Sequence, residues 1–200
     1  MTKHKRTTDL LKEIADNASN EAITLHEFNE KLGDRSFGLG LLIFGLLNNL
    51  PLLSAIFSIP VVVISIQMIL GLKQIKLPKF LENKTFDERA LSKIINKILP
   101  SIKIIEVFIK PRLDFMTSPF IERIAGVICM ILGVIIFLPF PGANLLPSVC
   151  VCLIAAAILE KDGVLMIAAI IISLGTIYAV KTILLVIKKY ILQIVHYLFG

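Results

Sequence analysis

Residues Phe137 to Val149 read FLPFPGANLLPSV. Three prolines, a glycine and an asparagine interrupt a run that is otherwise apolar enough for a bilayer. Pro139, Pro141, Gly142 and Asn144 do not continue a helix, so the neighbouring backbone groups lose their intrahelical partners. Facing lipid, such groups are prohibitively costly; they are tolerated where protein or a water-filled cavity surrounds them. Two readings follow. The break is either a polar working centre inside a membrane domain, or a tight turn at the far interface joining two short spans.

Working outward, the surroundings are those of a membrane protein. Hydrophobic residues make up 56% of the 200 and charged residues 18%, against roughly 45–50% and 25% in soluble domains. Mean hydropathy is +0.84. Phe37–Leu72 and Ile124–Leu159 are each 36 residues without a charge, and Gly163–Val180 adds 18 more. About 18 apolar residues is the length signal for a spanning helix, and these blocks show no polar face at helical period. Ahead of them there is no basic tip, short apolar core and cleavage site, so no removable signal peptide is expected. Cys129, Cys150 and Cys152 lie within the apolar blocks and read as packing residues. Haem, zinc and redox roles are not expected, and no cofactor or metal is implied.

The net charge of +6 is placed rather than spread. Residues 73–122 hold ten bases against six acids, which by the positive-inside tendency makes that segment cytoplasmic. There Thr85-Phe86-Asp87-Glu88 opens a helix whose apolar stripe includes Leu91, Ile95, Ile98 and Ile102 and whose other face carries Arg89, Lys93 and Lys97. It reads as a basic amphipathic helix, lying either in the interface or packed on the membrane domain. The chain has no Trp, and no basic face interleaved with aromatics, so nucleic-acid binding is excluded. The predicted organisation is an amphipathic cytoplasmic leader (1–36), a first hydrophobic hairpin (37–72), the basic segment (73–122) and a second hairpin (123–160). A transmembrane helix (163–187) and a tail (188–200) complete it.

The two hairpins look related. Each is entered by Arg-x-x-Gly, at Arg35–Gly38 and Arg123–Gly126, and each has Asn, Leu and Pro at its centre, at Asn49-Leu50-Pro51 and Asn144-Leu145-Leu146-Pro147. Each runs on to a boundary glycine, Gly71 or Gly163. This pattern predicts an internal duplication. The arms are short: Ile124–Leu138 and Leu145–Leu159 have 15 residues each and Phe37–Leu47 has 11, where a full span needs about 20. Such arms sit in a thinned bilayer or dip in and return. Paired broken segments in corresponding positions of two repeats point to a transporter's central site.

The candidate site residues follow. Asn48, Asn49 and Asn144 are the amides at the tips and offer both donors and acceptors; a sugar hydroxyl, a phosphate or a cation would suit them, and turn formation alone would also account for them. Pro51, Pro141, Gly142 and Pro147 hold backbone open there. Gln67, in the arm kinked by Pro60, offers a hydrogen bond to a partner helix or to a ligand. Asp34, Arg35, Glu122, Arg123, Glu160 and Asp162 are boundary charges, which either anchor helix ends or pair across the halves as a gate. No acid lies deep in a block, which speaks against a mid-membrane proton relay. No nucleophile–base pair, metalloprotease motif or phosphate loop is present, and an enzyme is not expected.

Taken together, these motifs resemble the ExoD family of bacterial membrane proteins. The resemblance is carried by Gly33-Asp34-Arg35-Ser36-Phe37-Gly38, by Asn48/Asn49-Leu50-Pro51, by Ile59-Pro60 leading to Gln67 and Gly71, and by Pro111-Arg112-Leu113. It continues in Glu122-Arg123 with Gly126, in Leu138 to Pro147, and in Leu159-Glu160-Lys161-Asp162-Gly163, and it spans about residues 8 to 187. Two positions depart from the family's pattern: Leu47 stands where a proline is usual, and no tryptophan precedes Leu77-Pro78. The first departure makes the first hairpin less broken than the second. The resemblance implies the bacterial cytoplasmic membrane and polysaccharide production, without catalytic residues.

The expected protein is therefore an all-α, multi-pass inner-membrane protein of two related halves, each a short broken hairpin preceded by an amphipathic helix, plus a C-terminal transmembrane helix. A transporter-like role in exopolysaccharide synthesis is the first functional reading, with the hairpins meeting at a polar centre. A non-transporting adaptor of a polysaccharide synthesis complex is the second. Membrane lipids and that machinery are the expected partners. Short hairpins in so small a chain need neighbours, which a homodimer would supply.

Overall fold

The computed structural model describes residues 7–9, 25–33, 35–48, 54–76, 99–100, 102–103, 118–138 and 144–199. Among them the chain is helical, with no strand. Six helices follow in order: α1 Leu25–Leu32, α2 Arg35–Leu47, α3 Ser54–Ile69, α4 Pro119–Phe137, α5 Leu145–Glu160 and α6 Gly163–Phe199. Local chemistry sets their ends. Pro119 opens α4 behind Ser118, where a missing N–H costs nothing. The same helix stops at Leu138, whose extended backbone (φ −69°, ψ 127°) is what a following proline imposes. Asp162 caps α6, its Oδ1 accepting from the Val164 and Leu165 amides at 2.9 and 3.1 Å.

Helices α2 to α5 form a closed ring in which α2 packs on α3, α3 on α4, α4 on α5 and α5 back on α2. The closest pairings are α3 with α4 and α2 with α5, so each hairpin packs chiefly on the other hairpin rather than on itself. Glycines permit the approach. A Cβ on Gly38 would lie 3.0 Å from the Ala155 carbonyl oxygen of α5, and one on Gly126 would lie 3.1 Å from the Ser65 carbonyl oxygen of α3. Seven residues on, a Cβ on Gly45 would meet Cys152 Sγ at 2.8 Å and one on Gly133 would meet Val62 Cγ2 at 2.8 Å. First arm thus meets second arm in the same antiparallel register on both sides of the ring.

The core between these faces includes Leu41, Val61, Leu132, Ile136, Val151, Ile154 and Leu159, all essentially inaccessible. Ile102, from the predicted amphipathic stripe, is buried as well, while Lys103 is exposed. Outward faces are apolar too. Ile56, Ile59, Val63 and Ile66 on α3 and Val127, Ile131 and Val134 on α4 are exposed. Continuous exposed apolar area of this kind needs a non-aqueous neighbour. Two helices, α4 and α6, are long and apolar enough to cross a membrane.

Two helix boundaries differ from the predicted segment bounds. Helix α6 runs without a break through Lys188 and Lys189 to Phe199, where a tail was predicted from residue 188. Adjacent lysines occupy one side of a helix and do not end it. The second hairpin begins at Pro119, ahead of residue 123, because the N-terminal proline sets the start. Most of the predicted leader (1–36) ahead of residue 25, and most of the 73–122 segment, including Lys93 and Lys97, lie outside the described residues.

Candidate functional site

The end of α2, the start of α3 and the start of α5 lie at one end of the ring. Asn48 closes α2, its backbone amide donating to the Phe44 carbonyl at 3.0 Å. Its side chain is 1% exposed, and neither Oδ1 nor Nδ2 has a hydrogen-bond partner. Asn144 leads into α5. Instead of capping that helix with its side chain, it donates from Nδ2 to Ser54 Oγ, the first residue of α3, at 3.0 Å. Its Oδ1 is buried without a partner. Below it, Pro147 and Ser148 are buried in the first turn of α5, where a proline removes no hydrogen bond.

The nearby serines are not free to serve this centre. Ser58 Oγ donates to the Ala55 carbonyl at 2.7 Å, and Ser148 Oγ to the Leu145 carbonyl at 2.9 Å, the same three-residue back-bond in each half. Three unpartnered amide atoms therefore remain: one donor group and two carbonyl oxygens. Buried orphans of this kind cost about 1–3 kcal/mol each and call for an explanation in a native fold. One turn below Ser54, Ser58, Ile59, Val62, Val63, Val134 and Phe137 line an apolar groove of about 260 Å³ between α3 and α4.

Other sequence-predicted residues sit at the opposite end. Gln67 is there, not at the tips: its Oε1 accepts the Lys76 amide at 2.6 Å and its Nε2 donates to the Lys76 carbonyl at 3.1 Å. Its amide is fully used in holding residues 72–76 against α3. The same stretch is held by Asn29 and Ser36, since Asn29 Nδ2 donates to the Ile75 carbonyl at 2.5 Å and the Ile75 amide donates to Ser36 Oγ at 3.1 Å. Neither residue was singled out from the sequence; isolated polar side chains give no local sign of such long-range partners.

Of the boundary charges, Arg123 lies with its guanidinium against the Gly71 backbone, at the left-handed turn (φ 71°) that ends α3. A cation there complements the helix C-terminus. Helix α5 ends in a matching turn at Lys161 (φ 51°). Asp162 serves as the α6 cap, Glu160 is buried at the end of α5, and Arg35 and Glu122 are partly buried. Asn49, Pro51, Pro141, Gly142 and Asp34 lie outside the described residues. Among the described residues no three His, Cys, Asp or Glu side chains gather to hold a metal.

Residues 7–182 match a protein family described as exopolysaccharide synthesis, ExoD. The chain is similar to Protein ExoD of Rhizobium meliloti, 26% identical over 154 residues, which cover 72% of this chain and 62% of that protein. It is also similar to an uncharacterized protein of Synechocystis sp., 25% identical over 137 residues, covering 66% of this chain and 65% of the relative. The chain thus spans somewhat under two thirds of the length of these curated relatives. No solved structure matches it.

Proposed function

Because this chain belongs to the ExoD family of exopolysaccharide-synthesis proteins, we propose that it is a multi-pass protein of the bacterial cytoplasmic membrane that acts in exopolysaccharide synthesis in a transporter-like way. The observation that carries the reading is Asn48, a buried amide with both ends unpartnered. At the same end of the ring a second asparagine, Asn144, bridges α5 and α3. A purely structural tip would satisfy these groups or replace them with apolar residues.

An internal duplication supports the same reading. Gly38 and Gly126, Gly45 and Gly133, Ser58 and Ser148, and Gly71 and Lys161 occupy equivalent places in the two halves. In this register Asn144 corresponds to Ser54, not to Asn49, so the bond between them lies on the axis relating the halves. Helices α2, α3 and α5 have 13, 16 and 16 residues, about 20–24 Å at 1.5 Å per residue, short of the ~30 Å hydrocarbon core. Helix α4, with 19 residues, reaches about 28 Å, so in this reading α2, α3 and α5 either sit in a locally thinned bilayer beside it or dip in and return. Pro147 stands in the first turn of α5, where it removes no backbone hydrogen bond. Arg123 and Arg35, at the cytoplasmic end, close the access.

The chemistry of the centre selects its ligand. An ionised phosphate is mainly an acceptor and would set its negative charge against two amide carbonyls; a cation would leave the Asn48 NH₂ without an acceptor. Neutral hydroxyls both donate and accept, so two of them on one solute would satisfy the Asn48 NH₂ and both carbonyl oxygens. The ligand is therefore a neutral hydroxyl-bearing solute, the chemistry of a sugar unit.

The test is exopolysaccharide output in cells whose own copy carries Asn48→Ala with Asn144→Ala, at matched protein level. Output at the level of a deletion strain is the expected result. Wild-type output, together with loss on charge reversal at Lys93 and Lys97, would favour the adaptor reading instead.

A further inference from the structure

Helix α6 outruns the bundle it packs on. Cys150 Sγ lies 3.3 Å from Thr176 Oγ1, which fixes the register between α5 and α6. Since α5 begins at Leu145, its first turn is level with the stretch near Lys181. The rest of α6, about 18 residues or 27 Å at 1.5 Å per residue, projects past every other described helix.

The face that α6 uses continues along that projection. Met166, Ala169, Ser173 and Thr176 are buried against the bundle, spaced three and four apart. The same spacing runs on through Val180, Ile183, Ile187 and Tyr190 to Tyr197, but Ile183, Tyr190 and Tyr197 are 57%, 62% and 89% exposed. At 100° per residue, Lys181, Lys188, Lys189 and His196 fall on the other side of the helix, away from the stripe. A segment meeting lipid alone has no reason to keep its charges in phase with a buried stripe more than two turns back.

We propose that this distal stripe is the contact between two copies of the chain, their α6 helices pairing in parallel about a twofold axis beyond the hairpin tips. Three observations select a second copy. The stripe is continuous with an established helix-packing face, and its 3–4 spacing is the pattern by which identical helices interlock side by side. The bundle's own helices stop short of it. A parallel twofold pairing on this face keeps the lysines of both copies off the interface, so no like charges are pressed together.

The test uses the full chain with Cys129, Cys150 and Cys152 changed to alanine, and single cysteine substitutions at each position from Ile183 to Leu192, oxidised in native membranes. Disulfide-linked dimers should peak at Ile183, Ile187 and Tyr190 and fall several-fold at Leu185, Lys189 and Leu192. A flat profile, absence of dimers, or linkage to a different protein would overturn the proposal. Independently, two differently tagged copies of the unaltered chain should co-purify when expressed together, and should separate when α6 is cut after Thr182. Failure of the intact copies to co-purify would also overturn it.

Discussion

Asn144 donates to Ser54 across the ring at 3.0 Å, so that the residue leading into α5 is tied to the first residue of α3. The two residues belong to different hairpins, ninety positions apart in the chain. Removing the acceptor strands the Asn144 NH₂. Ser54→Ala and Asn144→Ala should each lower stability by about 1–2 kcal/mol, near the upper range for polar contacts in membranes. Thermal unfolding in lipid nanodiscs checks this. The double variant should lose less than the sum of the singles, and strict additivity would show that the bond contributes nothing.

Asn48 should behave in the opposite sense. Replacing its unpartnered amide by an apolar side chain of similar volume removes a desolvation penalty of about 1–3 kcal/mol. Asn48→Leu is therefore expected to raise the unfolding temperature while abolishing exopolysaccharide output. A destabilised Asn48→Leu would mean that the amide serves the fold.

The glycines divide by what surrounds them. Gly126 faces Met68 Cβ at 3.0 Å and the Ser65 carbonyl at 3.1 Å, whereas nothing lies within 4 Å of Gly175. Gly126→Leu should force α3 and α4 apart, with a loss of at least ~3 kcal/mol from overpacking and little protein reaching the membrane. Gly175→Ala should stabilise α6 by about 0.5–1 kcal/mol through helix propensity. Membrane yield and unfolding temperature read both.

Gly71 and Lys161 form a matched pair of left-handed helix ends. Gly71→Ala meets both the positive φ, costing about 1–2 kcal/mol, and the Arg123 guanidinium packed against it. Lys161→Gly relieves the same strain and should stabilise by about 1 kcal/mol. The pair should move the unfolding temperature in opposite directions.

The hydrophobic blocks and their breaks were readable because hydropathy and proline are local signals: α4 ends two residues before Pro139 and α3 starts beyond Pro51. Partnerships between blocks were not. An Asn-Leu-Pro match paired Asn144 with Asn49, which lies outside the described residues, and nothing in the sequence pointed to Ser54 as the hydrogen-bond partner of Asn144. Gln67 looked like a site amide because its sequence does not reveal that the Lys76 backbone takes both its ends. Lys188 and Lys189 looked like the end of a span because charge marks a boundary only when the helix carries no side to put it on.

The central claim is that Asn48 borders an enclosed polar centre open to a neutral ligand. Its most direct test is the thiol reactivity of Asn48→Cys, with Cys129, Cys150 and Cys152 replaced by alanine, in intact cells. The expected result is no labelling by a bulky membrane-impermeant reagent and labelling by a small permeant one. Labelling by the impermeant reagent as fast as at an exposed external loop would contradict it.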